Sequence, residues 1–346
     1  RQRNFISLCS DRNKMSKKKG MGMGKGKGGD DEDTSTYDLY IFYQRSCIKN
    51  GIAPMKGVKR KYDEMEEEGE EFLTMLHLWE EAGPMNVRAL CDAMKEVKYK
   101  HLKSLRLWRT KAQDEGVRAC CEYLKLPTTE LKILDLLDNQ ITPLGCEFLG
   151  QVLAGGTLTI LKLDHNPFGS EGLANLAAGL SKNSVLNHLS LSYCNINEDG
   201  AKSLQQILAY VKTDLKELNL QGNQLKNKGT YELFRALEIN ECLESINLSD
   251  NQFGETGEGE QLFEQIQKVF KVNKTLREYD LNFNGIYDEG ANKLKDVLKE
   301  SKVFGLVLPD RVDREIIKEM EAILKKNRPR GRKGKKKKKQ SLYISL

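Results

Sequence analysis

Leu215-Lys216-Glu217-Leu218-Asn219-Leu220-Gln221-Gly222-Asn223-Gln224-Leu225 alternates leucine with polar residues and then breaks the alternation at an asparagine. Side chains of an extended segment point to opposite faces in turn, so Leu218 and Leu220 share one face and Glu217, Asn219 and Gln221 the other. The pattern returns from Leu243 to Phe253 and, working outward, has leading positions at Leu102, Leu131, Leu158, Leu186, Leu215, Leu243 and Leu276. Their separations are 29, 27, 28, 29, 28 and 33 residues. A period of this length specifies stacked units of one short strand and one helix each.

Each unit repeats two further features. A short side chain follows the strand (Thr110, Asn139, Asn166, Cys194, Asn223, Asn251, Asn284), where it can satisfy backbone groups as the chain turns away. A glycine comes next (Gly116, Gly145, Gly172, Gly200, Gly229, Gly257, Gly290), for which dihedral freedom and close approach are both reasons. Neither strand nor helix can close a core alone. Stacking buries the leucines at roughly 1.5–3 kcal/mol each.

The period also locates the ends. Leu73, Leu76 and Leu78 precede Leu102, Leu105 and Leu107 by 29 residues and mark a degraded first copy, a cap. Val303–Pro309 reads as a last strand, followed by an amphipathic helix over roughly 312–325, and the added residues around Gly257–Glu260 read as a loop bulge on the helix side.

Units of this length with strand, glycine and helix resemble the ribonuclease-inhibitor type of leucine-rich repeat over about 240 of the 346 residues. The resemblance implies an α/β fold: a right-handed solenoid or horseshoe with parallel strands on the concave side, helices on the convex side and a partner held in the concavity. Proteins similar in this way include the GTPase-activating protein of Ran, the C-terminal half of tropomodulin and leucine-rich proteins of ciliary axonemes, so function does not follow from the fold. The expected organisation is an N-terminal arm over 1–71, mostly without fixed structure but with apolar residues to dock near 37–48, the solenoid over 72–310, a capping helix over 311–326 and a basic tail over 327–346. Methionine first occurs at Met15, and the expectation is that translation starts there.

Composition narrows the function classes. No apolar run approaches the roughly 18–20 residues of a membrane span. Eight cysteines form no CxxC pair or Cys/His cluster, which points to a reducing compartment, with no metal and no cofactor expected. The four histidines, His77, His101, His165 and His188, fall in different repeats with no recurring acid, base or nucleophile spacing, so neither a catalytic site nor a small-molecule substrate is expected.

Residues between the leucines belong on the concave sheet. Trp108, Ile133, Leu137 and Ile160, flanked by Arg106, Arg109, Asp135 and Lys162, combine apolar anchors with charge and are read as an exposed patch and the partner site. The competing reading has the N-terminal arm fold back over it. A second candidate is the tail, Lys325, Lys326, Arg328, Arg330, Arg332, Lys333, Lys335, Lys336, Lys337, Lys338 and Lys339, eleven cations in fifteen residues with no acid. It suits non-specific binding to a polyanion, the acidic surface of tubulin included, or serves as a solubilising or nuclear-import tail. Lys17–Gly29, Asp30–Asp33 and the acidic run Glu64–Glu71 read as linker.

The expected function is a non-enzymatic, cytoplasmic protein-interaction scaffold in a cytoskeletal assembly, ciliary or axonemal, with the nucleus as the alternative location. The alternatives are a Ran-type GTPase-activating protein, for which Arg109 is the candidate residue, and a tropomodulin-like cap on actin filament ends.

Overall fold

The computed structural model describes residues 34–329 apart from Val211 and Glu258. The Lys/Gly-rich and Asp30–Asp33 stretches, and the tail residues from Arg330 to Lys339, lie outside the described residues.

Nine strands form one sheet in sequence order, every neighbouring pair parallel: β1 (Met75–Leu78), β2 (Ser104–Leu107), β3 (Ile133–Asp135), β4 (Ile160–Lys162), β5 (His188–Ser190), β6 (Glu217–Asn219), β7 (Ser245–Asn247), β8 (Glu278–Asp280) and β9 (Gly305–Val307). The register places Leu76, Leu105, Leu134, Leu161, Leu189, Leu218, Ile246 and Tyr279 side by side, all buried. A helix returns the chain after each strand: α3 (Pro84–Glu96), α4 (Gln113–Leu124), α5 (Pro143–Leu153), α6 (Gly169–Leu180), α7 (Ala201–Leu208), α8 (Lys226–Leu237), α9 (Gly259–Val272), α10 (Asp288–Leu298) and α11 (Arg314–Asn327). The sixth repeat takes up part of its added length by extending α9 to 14 residues, against 12 in α8 and 11 in α10, and so the insertion is not simply a loop bulge. No helix among the described residues is long and apolar enough to cross a membrane.

Three columns of residues connect the units. The asparagines are buried and bridge repeats: Nδ2 of Asn166 donates to Leu136 O and Leu163 O, while its Oδ1 accepts from Asn139 N and Ile141 N. Just before each of these positions the backbone is left-handed, at Arg109, Asp138, His165, Tyr193, Gly222, Asp250 and Phe283. Only one of the seven is glycine, so six L-residues each hold a conformation costing on the order of 1 kcal/mol. The third column is Asp114, Ser170, Asn227, Glu255 and Asp288, whose side-chain oxygens each accept a backbone N–H from the following repeat. Asp114 also accepts from Gly145 N at 3.0 Å and Glu255 from Gly290 N at 2.7 Å. A Cβ on Gly145 would stand 2.5 Å from Asp114 Oδ1. Close approach is thus the reason for Gly145 and Gly290, whereas Gly257 stands in open space at a left-handed φ of 66°.

At the N-terminal end, among the described residues, two helices precede β1. Residues 37–48 lie in α1 (Thr36–Lys49), which buries Leu39, Tyr40, Tyr43 and Cys47 and packs against α3. The acidic run read as linker is largely helical: Glu64 and Glu66–Glu68 are in α2 (Lys56–Glu68). Met55, Val58, Tyr62 and Met65 recur at helical spacing, Tyr62 stacks on Tyr40 at 4.2 Å, and Tyr43 Oη accepts from Met55 N at 2.7 Å. At the other end α11 buries Met320 and Leu324, and Asn327 Nδ2 donates to Leu298 O and Val303 O, closing the last unit.

Candidate functional site

Because side chains alternate across a strand, the residues between the ladder leucines lie on the open face of the sheet, away from the helices. Register gathers the sequence-predicted residues into rows. Arg106, Asp135 and Lys162 are direct neighbours in one row, flanked by His77 and Ser190. Ser104, Ile133, Ile160 and His188 form the next. Trp108 and Leu137 follow β2 and β3 and extend the face toward the strands' C-terminal ends.

The expectation of an exposed apolar patch needs correcting. Trp108, Ile133, Leu137 and Ile160 are half-buried, because strands roughly 4.8 Å apart make side chains in a row shield one another. Asp135 is only 3% exposed. Burial pushes its carboxyl up, against the opposing pull of the Trp108 indole and of Lys162. Its Oδ1 accepts the Leu137 N–H at 3.3 Å. Asp164, one repeat on, accepts from both Ser190 and Ser192. Arg109 stands off the face at the left-handed column, its Nε 3.0 Å from Asp138 Oδ2.

The face extends one repeat further, into the degraded first copy. Trp79 and His77 precede Trp108 and Arg106 by 29 residues, so the spacing that revealed the cap also placed both on this face. Trp79 is 71% exposed and meets Trp108 edge-on at 6.3 Å between ring centres. The Arg106 guanidinium lies 5.9 Å from the Trp108 ring. His77 is held below the usual imidazole range by burial and by the nearby positive charges of Arg106 and Lys61. Further along, the face turns polar and then acidic through Glu217, Glu278 and Asp280.

Of the predicted tail, Lys325 and Lys326 end α11 and Arg328 follows it, with all three exposed. Among the described residues, no group of three or more His, Cys, Asp or Glu side chains is placed to hold a metal ion.

Comparison with known proteins agrees with the repeat assignment. A leucine-rich-repeat family model matches residues 129–150, 157–177, 182–204, 211–234, 240–257 and 272–295. The chain is 31% identical over 182 residues to mouse ribonuclease inhibitor, covering 51% of this chain and 39% of that protein. It is 32% identical over 173 residues to human NACHT, LRR and PYD domains-containing protein 13, covering 49% of this chain and 16% of that protein. The chain therefore spans well under half the length of these curated relatives. A solved tropomodulin C-terminal domain from Caenorhabditis elegans aligns with 46% of this chain and 92% of its own, at 15% identity and a TM-score of 0.37. With its unbroken parallel ladder, its asparagine column and six model matches between residues 129 and 295, this chain is built of leucine-rich repeats, and they are similar to those of ribonuclease inhibitor.

Proposed function

We propose that this chain is a protein-binding scaffold whose partner lies across the open face of the sheet at β1 to β4. The observation that carries this reading is the convergence on one face of Trp79, Trp108, Leu137, Ile133 and Ile160 with the charged row Arg106, Asp135 and Lys162. Aromatic and arginine side chains gathered around aliphatic ones are what protein interfaces use as anchors. The family's binding modules fit this role, and a broad sheet face suits a macromolecule better than a small substrate.

The narrower form of the proposal places the partner in a cytoskeletal assembly, microtubule-based and axonemal, with the basic run from Lys325 onward adding attraction to an acidic surface. The test is affinity purification from cells with the wild-type chain and with Trp108→Ala combined with Leu137→Glu. Loss of the same protein from the double variant, with circular dichroism unchanged, supports the face. Capture of an identical set by both chains removes it.

A further inference from the structure

Between the first turns of α2 and the open face at β1 and β2 lies a pocket of about 420 Å³ lined by Lys56, Arg60, His77, Trp79, Arg106 and Trp108, with Glu80 at its edge. We propose that this pocket receives an acidic peptide segment of a protein partner, its carboxylates set on Lys56, Arg60 and Arg106 and an aromatic or aliphatic side chain set against Trp79 and Trp108. The proposal deepens the scaffold reading and rests on it, since Arg106 and Trp108 belong to both.

Charge decides the occupant. Three permanent cations line the pocket against one carboxylate, which is already engaged: Glu80 accepts from Gly57 N at 2.8 Å and from Lys56 N at 3.3 Å, fixing the start of α2, while Arg60 also reaches Glu64 outside the lining at 3.8 Å. The surplus is positive. The depressed titration of His77, driven by burial and then by Arg106 and Lys61, reports the same field. The rest of the face excludes a long polyanion, because a nucleic acid laid along the sheet would meet Asp135, Asp164, Glu217 and Asp280. A short acidic segment held in the pocket stays clear of Asp164, Glu217 and Asp280. The tryptophans supply what a purely electrostatic site lacks: one is mostly exposed and the other half-buried, and their rings, 6.3 Å apart, are inclined at 70°. Half-buried Leu137 stands 29 residues after Trp108, at the equivalent position of the next repeat, so a bound segment has a path onto the scaffold face.

The chain contains two tryptophans, and both line the pocket, which makes tryptophan emission a report on this site. The full chain is titrated with the blocked peptide Glu-Asp-Phe-Glu-Asp, with its Lys-for-acid counterpart and with a mixed-sequence single-stranded oligonucleotide. The expected result is a saturable emission shift with the acidic peptide at up to roughly millimolar concentration. The shift should weaken with added salt and be absent with the basic peptide. The double charge reversal Lys56→Glu with Arg60→Glu, at exposed helix positions that leave the fold intact, should weaken binding about tenfold or more. No shift, an equal shift with the basic peptide, a stronger one with the oligonucleotide, or unchanged affinity in the charge-reversed variant would each overturn the proposal. If the peptide fails while Trp108→Ala with Leu137→Glu still loses a captured partner, the pocket falls and the scaffold stands. If the peptide binds as described but no captured protein depends on those two residues, the scaffold face falls and the pocket remains.

Discussion

At Asn166 one side-chain amide joins two successive repeats. Its Nδ2 reaches Leu136 O and Leu163 O, both at 2.9 Å, and its Oδ1 takes the N–H groups of Asn139 at 2.8 Å and Ile141 at 3.1 Å. Asn166→Ala strands several buried backbone groups at once and should cost roughly 2–4 kcal/mol, read as a lowered urea midpoint; a loss below about 0.5 kcal/mol would mean that water takes over the role. Asp135 behaves in the opposite sense. Its folded-state carboxyl is raised above 3.8, so its contribution to stability is full below that value and is lost as pH rises through the folded-state value. Asp135→Asn keeps the acceptor for Leu137 N–H and removes the charge. Thermal unfolding at about pH 3.5 and about pH 7 should show the variant gaining on the wild type as pH rises. A gain in the reverse direction contradicts the assignment.

Helix starts are built by the preceding repeat. Asp114 Oδ1 accepts from Thr142 N at 2.9 Å and Gly145 N at 3.0 Å, and its Oδ2 accepts from the Thr142 hydroxyl at 2.6 Å. Gly145→Ala pushes a methyl into that carboxylate and should cost about 1–2 kcal/mol, while Asp114→Ala loses the cap for about 1 kcal/mol. Both act on one contact, so the double variant should cost clearly less than their sum; strict additivity in a double-mutant cycle would separate the glycine from the cap. The strands and most helices were legible because leucine spacing is set by burial and repeats with the fold. The acceptor column was harder to see, since Asp, Ser, Asn and Glu serve interchangeably and each acts on backbone about one repeat away, 31 residues for Asp114 and Gly145. Helix α2 was hidden by its composition: Lys59, Arg60 and Lys61 face Asp63 and Glu64 in i,i+3 and i,i+4 pairs, and this density of charge masked Val58 and Met65. Trp79 was missed because the face was not extended into the degraded first copy, and the pocket because its other wall is α2.

The described residues share one continuous core closed at both ends by helices that are not themselves repeats, α1 and α11. The capping bonds of Asn327 fix where the tail can be cut, so the docking role proposed for the tail is tested by removing residues 330–346 and no more. Pelleting with microtubules should fall in the shortened chain and should weaken in the parent as salt is raised. Pelleting unaffected by the cut would leave the tail without that role. The stack also has a grain, which the asparagine bridges make chemically specific. Asn223 Oδ1 receives the N–H groups of Cys194 and Ile196, and Asn251, at the equivalent position 28 residues later, reaches the preceding repeat through its Nδ2, which donates to Leu220 O. Excising Leu215–Cys242 sets Asn251 against Cys194 and rejoins equivalent surfaces, giving a shorter chain that unfolds cooperatively with a proportionately smaller urea dependence. A cut one residue longer or shorter disturbs the junction alone, because natural spacings of 27, 28, 29 and 33 residues already coexist with one strand register. The protein is thus divisible in the way a chain of unequal links is, wherever one link can be closed on the next.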